Sequence, residues 1–354
     1  MLPKSSIADF MAENSSTGPS SVANPPGCSS TIEVAVAVIL RADGSFLLAS
    51  RPEGKPYAGY WEFPGGKIHS GEPLLHALKR ELQEELDIIV EHAYRWVTRT
   101  FSYPHGTVRL CFFRILEWHG EPRPCENQQL SWQYTGHVDV EPLLPANAPV
   151  LRALELPPVY AITDAVKAGP EGVESGLAAV ERALQAGTRL LQIREKHLKG
   201  ELLHHFANEI VSRAHRNGAI VLVNGDMGGA DFCRAVGADG IQVPSYQLMN
   251  LEARPDTGWC GASCHNAEEL FRAEQLNMDF AVLGPVLPTL SHPDSPALGW
   301  RKFGRLIENC SIPVFALGGL RPEDLTTAWQ AGGHGIAMMR AFTREGGNPV
   351  IRAC

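Results

Sequence analysis

The sequence is poor in cysteine, has no long apolar run and carries no large excess of one charge. Its eight cysteines, Cys28, Cys111, Cys125, Cys233, Cys260, Cys264, Cys310 and Cys354, are scattered over 354 residues and form no CxxC pair. That excludes a disulfide scaffold and fits a reducing cytoplasm, the expected location. Cys260, Cys264 and His265 lie close together, but no second ligand pair follows at a zinc-site spacing. The longest uninterrupted apolar run, Val34 to Leu40, is seven residues, against the ~20 of a membrane-spanning helix. No apolar stretch follows Lys4, so a secretory signal is not expected. The net charge of −8, from 39 acidic and 31 basic residues, excludes a general nucleic-acid-coating role. A compact anionic substrate would need local cations or a metal to offset that charge.

What is present reads as a globular chain, with 44% hydrophobic and 20% charged residues, long enough for two domains. Residues 1–30 are rich in Ser, Pro, Asn and Gly and read as a flexible tail. From Thr31, TIEVAVAVIL has the Val and Ile content of a buried strand. Asp43-Gly44 and the following SFLLAS predict a hairpin with it. A second break falls at Leu156-Pro157-Pro158, dividing a domain over 31–156 from one over 157–354. Beyond it, eight apolar strands alternate with mostly helical patterns: VYAIT, RLLQIRE, AIVLVNG, DGIQVP, WCGASC, DFAVLGPV, IPVFALGG and HGIAMMR. Eight such repeats predict a closed (β/α)8 barrel rather than an open sheet, with the stretch after Pro244 the weakest helix.

The densest chemistry lies in GGKIHSGEPLLHALKRELQEELDI, residues 65–88. Ser70 or Gly71 can start a helix, with Pro73 in its first turn and Leu74, Leu75, Leu78, Leu82 and Leu86 as its apolar stripe. At about 100° per residue, Glu81, Glu84 and Glu85 share an arc of about 100°. Clustered carboxylates of this kind suit a hard cation, Mg²⁺ first and Mn²⁺ as its alternative.

The run from Gly66 through Glu72, Arg80, Glu81, Glu84 and Glu85 to Ile88 resembles the Nudix box, except that Asp87 stands where the family usually has Gly. Asp tolerates left-handed backbone better than most residues, so the helix end should survive. The resemblance implies an α/β/α sandwich with a mixed sheet that hydrolyses a nucleoside diphosphate linked to another group. It also implies a metal held by Glu81, Glu84, Glu85 and the carbonyl of Gly65, with Arg80 and Glu72 orienting the helix. Glu126 is the candidate additional ligand or base.

Residues 31–155 further resemble the MutT-type branch, through WEFPGGKI, WHGEP and LLPANAPV. This implies an 8-oxo-dGTP diphosphatase, with Asn147 reading the base and Arg51 touching the substrate. Tyr103, Pro104 and His105 fall on the base-side loop but depart from the branch pattern. An amide presents a carbonyl and an NH₂ side by side, matching the N7–H and O6 of 8-oxoguanine.

Residues 157–345 resemble thiamine phosphate synthase and its TenI-like relatives, through QIREK, VGADGIQV, GPVLPTLSHP and ALGGL. By that resemblance Gln192, Arg194 and Lys196 face a pyrophosphate, Asn224 belongs to a metal motif, and Gly318 and Gly319 offer backbone N–H groups to a phosphate. The family's Asn-Asp becomes Asn224-Gly225-Asp226, and its next acidic loop becomes Ser245-Tyr246-Gln247. His292 replaces a lysine, and Arg340 stands on the last phosphate loop. These departures point to a phosphate-binding barrel, with a thiamine-related phosphate as its ligand, rather than to an active synthase. The alternatives are a synthase-type transferase and a ligand sensor that tunes the hydrolase. The expected partner is a nucleoside triphosphate, with no stable nucleic acid and no membrane.

Overall fold

The computed structural model describes residues 31–104, 106–163, 170–289 and 296–339. In the N-terminal half the strands are β1 (Ile32–Ile39), β2 (Phe46–Ser50), β3 (Trp61–Glu62), β4 (Gly65–Lys67), β5 (Ile89–Tyr103), β6 (Gly106–His119) and β7 (Leu130–Gln133). The helices are α1 (Leu74–Leu86), between β4 and β5, and α2 (Ala148–Leu154), after β7. A four-stranded mixed sheet has the order β4-β1-β6-β5, and a three-stranded sheet the order β3-β2-β7.

Strand β1 runs parallel to β6, from Ile32 opposite Val108 to Ile39 opposite Ile115, and antiparallel to β4. Its alternation feeds two cores. Ala35, Ala37 and Ile39 pack with Ala77, Leu78, Leu82 and Leu86 of α1, while Val36 and Val38 pack with Val150 and Ala153 of α2. One helix thus covers each face, as the sandwich requires.

Two local expectations change. The predicted hairpin is a single bridge, Leu40 to Phe46, because β1 and β2 then enter different sheets. In α1, Ala77 takes the buried place expected of Leu75, which is 40% exposed. The rows 74-78-82-86 and 77 form one stripe, and residue 75 lies off it.

In the second half all eight predicted strands form: β8 (Val159–Ile162), β9 (Leu190–Ile193), β10 (Ile220–Asn224), β11 (Gly240–Val243), β12 (Trp259–Cys264), β13 (Phe280–Leu283), β14 (Val314–Leu317) and β15 (Gly335–Met338). They close in sequence order, every neighbouring pair parallel. The surrounding helices are α3 (Pro170–Gln185), α4 (Gly200–Arg216), α5 (Gly229–Val236), α6 (Ser245–Leu248), α7 (Ala267–Gln275), α8 (Gly299–Ile307) and α9 (Leu325–Gln330). The weak helix after Pro244 is a single turn. Tyr160, Leu190, Leu222, Phe280 and Phe315 fill the barrel interior.

The N-terminal half docks on the barrel at the N-terminal ends of its strands. Arg114 of β6 donates to the carbonyls of Gly333 (2.7 Å) and His334 (2.8 Å), just before β15. Its guanidinium lies 5.3 Å from the Trp96 ring and 5.4 Å from that of Trp329. The amide of Thr98 donates to the Cys310 carbonyl, and Arg99 donates to that of Ser311, both before β14. Arg152 lies over the ring of Trp259, at the start of β12, with 3.3 Å to its centroid. The opposite end of the barrel, where ligand-binding loops of such folds cluster, is turned away.

Candidate active site

The carboxylates gather because two glycines let the strand β4 approach α1. A Cβ on Gly66 would stand 2.1 Å from the Glu81 carboxyl carbon, and one on Gly65 would stand 2.2 Å from the Ala35 carbonyl oxygen. With neither present, the Gly65 N–H donates to Glu85 Oε2 at 3.1 Å.

Arg80 organises the rest. It grips Glu72 through two bonds of 2.9 Å and reaches Glu81 at 2.8 Å and Glu84 at 3.2 Å. Glu72 lies just outside the helix, takes the His69 N–H at 3.0 Å, and is held down to about 2 chiefly by Arg80. Pro73 is the N-cap rather than a first-turn residue. At the other end Asp87 is the C-cap with φ 54°, the left-handed geometry that its replacement of Gly requires. It bonds Gln83 (2.7 Å) and pairs with Arg123.

The loop bearing Glu126 is fastened to the end of α1. The Cys125 N–H (3.0 Å) and the Gln128 amide (2.7 Å) both donate to the Glu85 carbonyl, and Gln128 accepts the Glu126 N–H at 2.7 Å. Glu126 thereby faces Glu85. Burial, with the added charges of Glu126 and Glu81, pushes Glu85 up to about 7 against the opposing Gly65 bond and Lys55. Glu85, disfavoured as an anion beside the charges of Glu81 and Glu126, is in a state that a divalent oxygen-binding cation would relieve.

Beside this cluster opens a small cleft lined by Val34, Glu62, Phe63, Tyr103, Phe112 and Asn147, among others. Asn147 is buried in a short 3-10 turn, Pro145–Asn147, ahead of α2. Its side chain makes no capping bond; its NH₂ donates to the Trp61 carbonyl at 3.3 Å. Arg51 pairs with Glu62 at 2.5 Å and donates to the Pro56 carbonyl at 2.6 Å. Burial raises Glu62 in spite of Arg51. Residue type alone marks neither Glu62 nor Lys55, which bonds Glu126 at 2.6 Å, and Tyr103 falls on the base-side loop without matching the branch pattern. His105 lies outside the described residues.

Residues 31–154 match the family described as NUDIX domain, and residues 159–342, more than half of the chain, match that described as thiamine monophosphate synthase. The chain is a Nudix domain followed by a thiamine monophosphate synthase (TMP-TENI) domain. The Nudix domain makes it a hydrolase. An 8-oxo-dGTP diphosphatase of Haemophilus influenzae is 37% identical over 123 residues, 35% of this chain and 90% of that protein. A CTP pyrophosphohydrolase of Escherichia coli is 37% identical over 122 residues, 34% of this chain and 90% of that protein. A thiamine-phosphate synthase of Chloroflexus aurantiacus is 31% identical over 186 residues, 52% of this chain and 83% of that protein.

In the TMP-TENI domain, Gln192 and Asn224 are buried and bonded to each other at 3.1 Å. Strand β9 ends at Ile193; beyond it Arg194 is half-buried and Lys196 exposed. Gly318 and Gly319 have φ of 106° and 69°, and a Cβ on either would strike the 285–288 segment. The Asn224-Gly225-Asp226 turn lies against the Ser245-Tyr246-Gln247 stretch: a Cβ on Gly225 would lie 2.6 Å from Gln247 Oε1. Asp226 accepts from Tyr246 and, at 3.3 Å, from Gln247. One engaged carboxylate beside a neutral amide does not fit a Mg²⁺ site of the synthase kind. His292 and Arg340 lie outside the described residues.

Proposed function

We propose that the Nudix domain is a Mg²⁺-dependent pyrophosphohydrolase of nucleoside triphosphates, with 8-oxo-dGTP as its substrate, released as 8-oxo-dGMP and pyrophosphate. The observation that carries this reading is that Glu81, Glu84 and Glu85 lie together on α1, with Glu126 charge-coupled to Glu85 and a neighbouring cleft lined by Asn147. Its NH₂ can serve O6 of the oxidised base and its carbonyl oxygen the N7–H, whereas guanine offers an acceptor at N7 and leaves one mismatch. The name of the Haemophilus influenzae relative supports the same substrate.

Glu81, Glu84 and Glu85, with Glu126 and the Gly65 carbonyl, would hold the cation. When bound, it would neutralise phosphate charge and polarise the attacking water. Arg80 keeps Glu81 and Glu84 oriented from behind. Glu126 is the group to take the water's proton. Arg51 anchors Glu62 in the cleft wall and is the candidate phosphate or sugar contact.

The E. coli CTP pyrophosphohydrolase favours a second reading with the same chemistry on a pyrimidine. Chromatography of products from 8-oxo-dGTP and CTP with Mg²⁺ tests both. Monophosphate and pyrophosphate from 8-oxo-dGTP support the first reading, and orthophosphate as the product would exclude a pyrophosphohydrolase. For the barrel we propose a phosphate-bearing ligand without synthase turnover, since Asp226, the acid near Asn224, is already engaged by Tyr246 and Gln247.

A further inference from the structure

The loop between β2 and β3 carries a cation that this reading leaves unused. Lys55 Nζ lies 2.6 Å from Glu126 Oε2, although 71 positions separate the two residues. The same ammonium acts on Glu85, in the carboxylate cluster, and on Glu62, in the cleft wall. Its charge thus reaches both the cluster and the cleft wall. The loop is fixed around it: the Arg51 N–H donates to the Tyr60 carbonyl (2.8 Å) and the Gly59 N–H to that of Arg51 (2.9 Å). The Tyr57 ring packs on Tyr60 and Tyr103 at 5.4 and 5.5 Å. From this frame Lys55 extends a flexible arm that is still 47% exposed.

A carboxylate bonded to an ammonium is not free to coordinate a metal, because two cations repel at that separation. With a base in the cleft and the carboxylates holding a divalent ion, the polyphosphate must run between them, past Lys55. A lysine there is a mobile point charge suited to phosphate oxygens. We infer that Lys55 is a positioning cation with two alternating partners, holding Glu126 while the site is empty and turning to the polyphosphate once Glu126 is released. This rests on the hydrolase reading of the site.

The test uses the full chain with Lys55→Met and Lys55→Arg. Electron paramagnetic resonance measures Mn²⁺ binding without nucleotide, and calorimetry measures inorganic pyrophosphate binding to the Mn²⁺-loaded protein. Lys55→Met should bind Mn²⁺ about three- to tenfold more tightly, because a competing cation is gone. It should bind pyrophosphate about tenfold more weakly, and Lys55→Arg should restore most of that loss. A merely structural role would weaken both. Unchanged or weaker Mn²⁺ binding overturns the hold on Glu126, and unchanged pyrophosphate binding overturns the turn to phosphate. Neither readout needs turnover, so failure here is separate from failure to find a hydrolysed nucleotide.

Discussion

Arg80 touches three glutamates, yet only the acids beyond it differ in what they can lose. Glu84 has a side chain 57% exposed and one long bond to Arg80. Glu84→Gln should therefore change stability by less than about 0.5 kcal/mol. It should lower kcat by about a hundredfold or more, since an oxygen ligand is exchanged for an amide. Full turnover with an unchanged circular dichroism spectrum would remove Glu84 from the site. Asn147→Ala should cut the preference for 8-oxo-dGTP over dGTP by about tenfold, measured as a ratio of kcat/KM. At this scale the box picked out Glu81, Glu84 and Glu85 on one helix, and the wider resemblance picked out Glu126 and Asn147, which lie next to that helix and in the adjoining cleft. Neither could show Lys55 on Glu126 or Arg51 on Glu62, because pairings through loops have no period.

Helix α1 ends as it does because of one backbone conformation. Asp87 sits at φ 54°, where a Cβ costs energy and a β-branched one costs more. Asp87→Val should destabilise the protein by about 1–2 kcal/mol in urea melts, while Asp87→Gly should stay within about 1 kcal/mol. Equal stability for both would show that the cap geometry carries no weight. At the other end of the site, Gly66→Ala should abolish Mn²⁺ binding by pushing Glu81 aside, with the secondary structure retained. Strands were the most legible elements, since all eight barrel strands are short apolar runs bounded by helices. The β1–β2 hairpin misled because Asp43-Gly44 fixes a turn but not which sheet each strand joins. Leu75 misled because a run of leucines does not declare which member leaves the stripe.

The whole molecule is held at a face that the sequence did not reveal, between residues more than two hundred positions apart. Among the described residues the partners of buried Arg114 are two carbonyls and flanking indoles rather than a carboxylate. Beside it His334 donates from Nε2 to the Leu156 carbonyl at 2.9 Å. Burial, aided by the Arg114 charge, lowers its pKa from 6.5 to about 3. Between those values the unfolded chain binds a proton that the folded one refuses, so stability rises with pH across the window and falls on acidification. His334 alone should cost about 2 kcal/mol between pH 7 and pH 5, and His334→Gln should flatten that slope in urea melts. An identical slope in the variant would place the titrating group elsewhere. Because the docking face is the N-terminal end of the barrel, it leaves the end at which such folds carry their ligand-binding loops uncovered by these contacts.

The most direct test of the account is pyrophosphate release from 8-oxo-dGTP and from dGTP at the same low concentration, with Mg²⁺ and after its removal by chelation. Rapid release from the oxidised nucleotide, slow release from dGTP and none without the metal are expected. Equal rates for the two nucleotides, or no release from either, would contradict it.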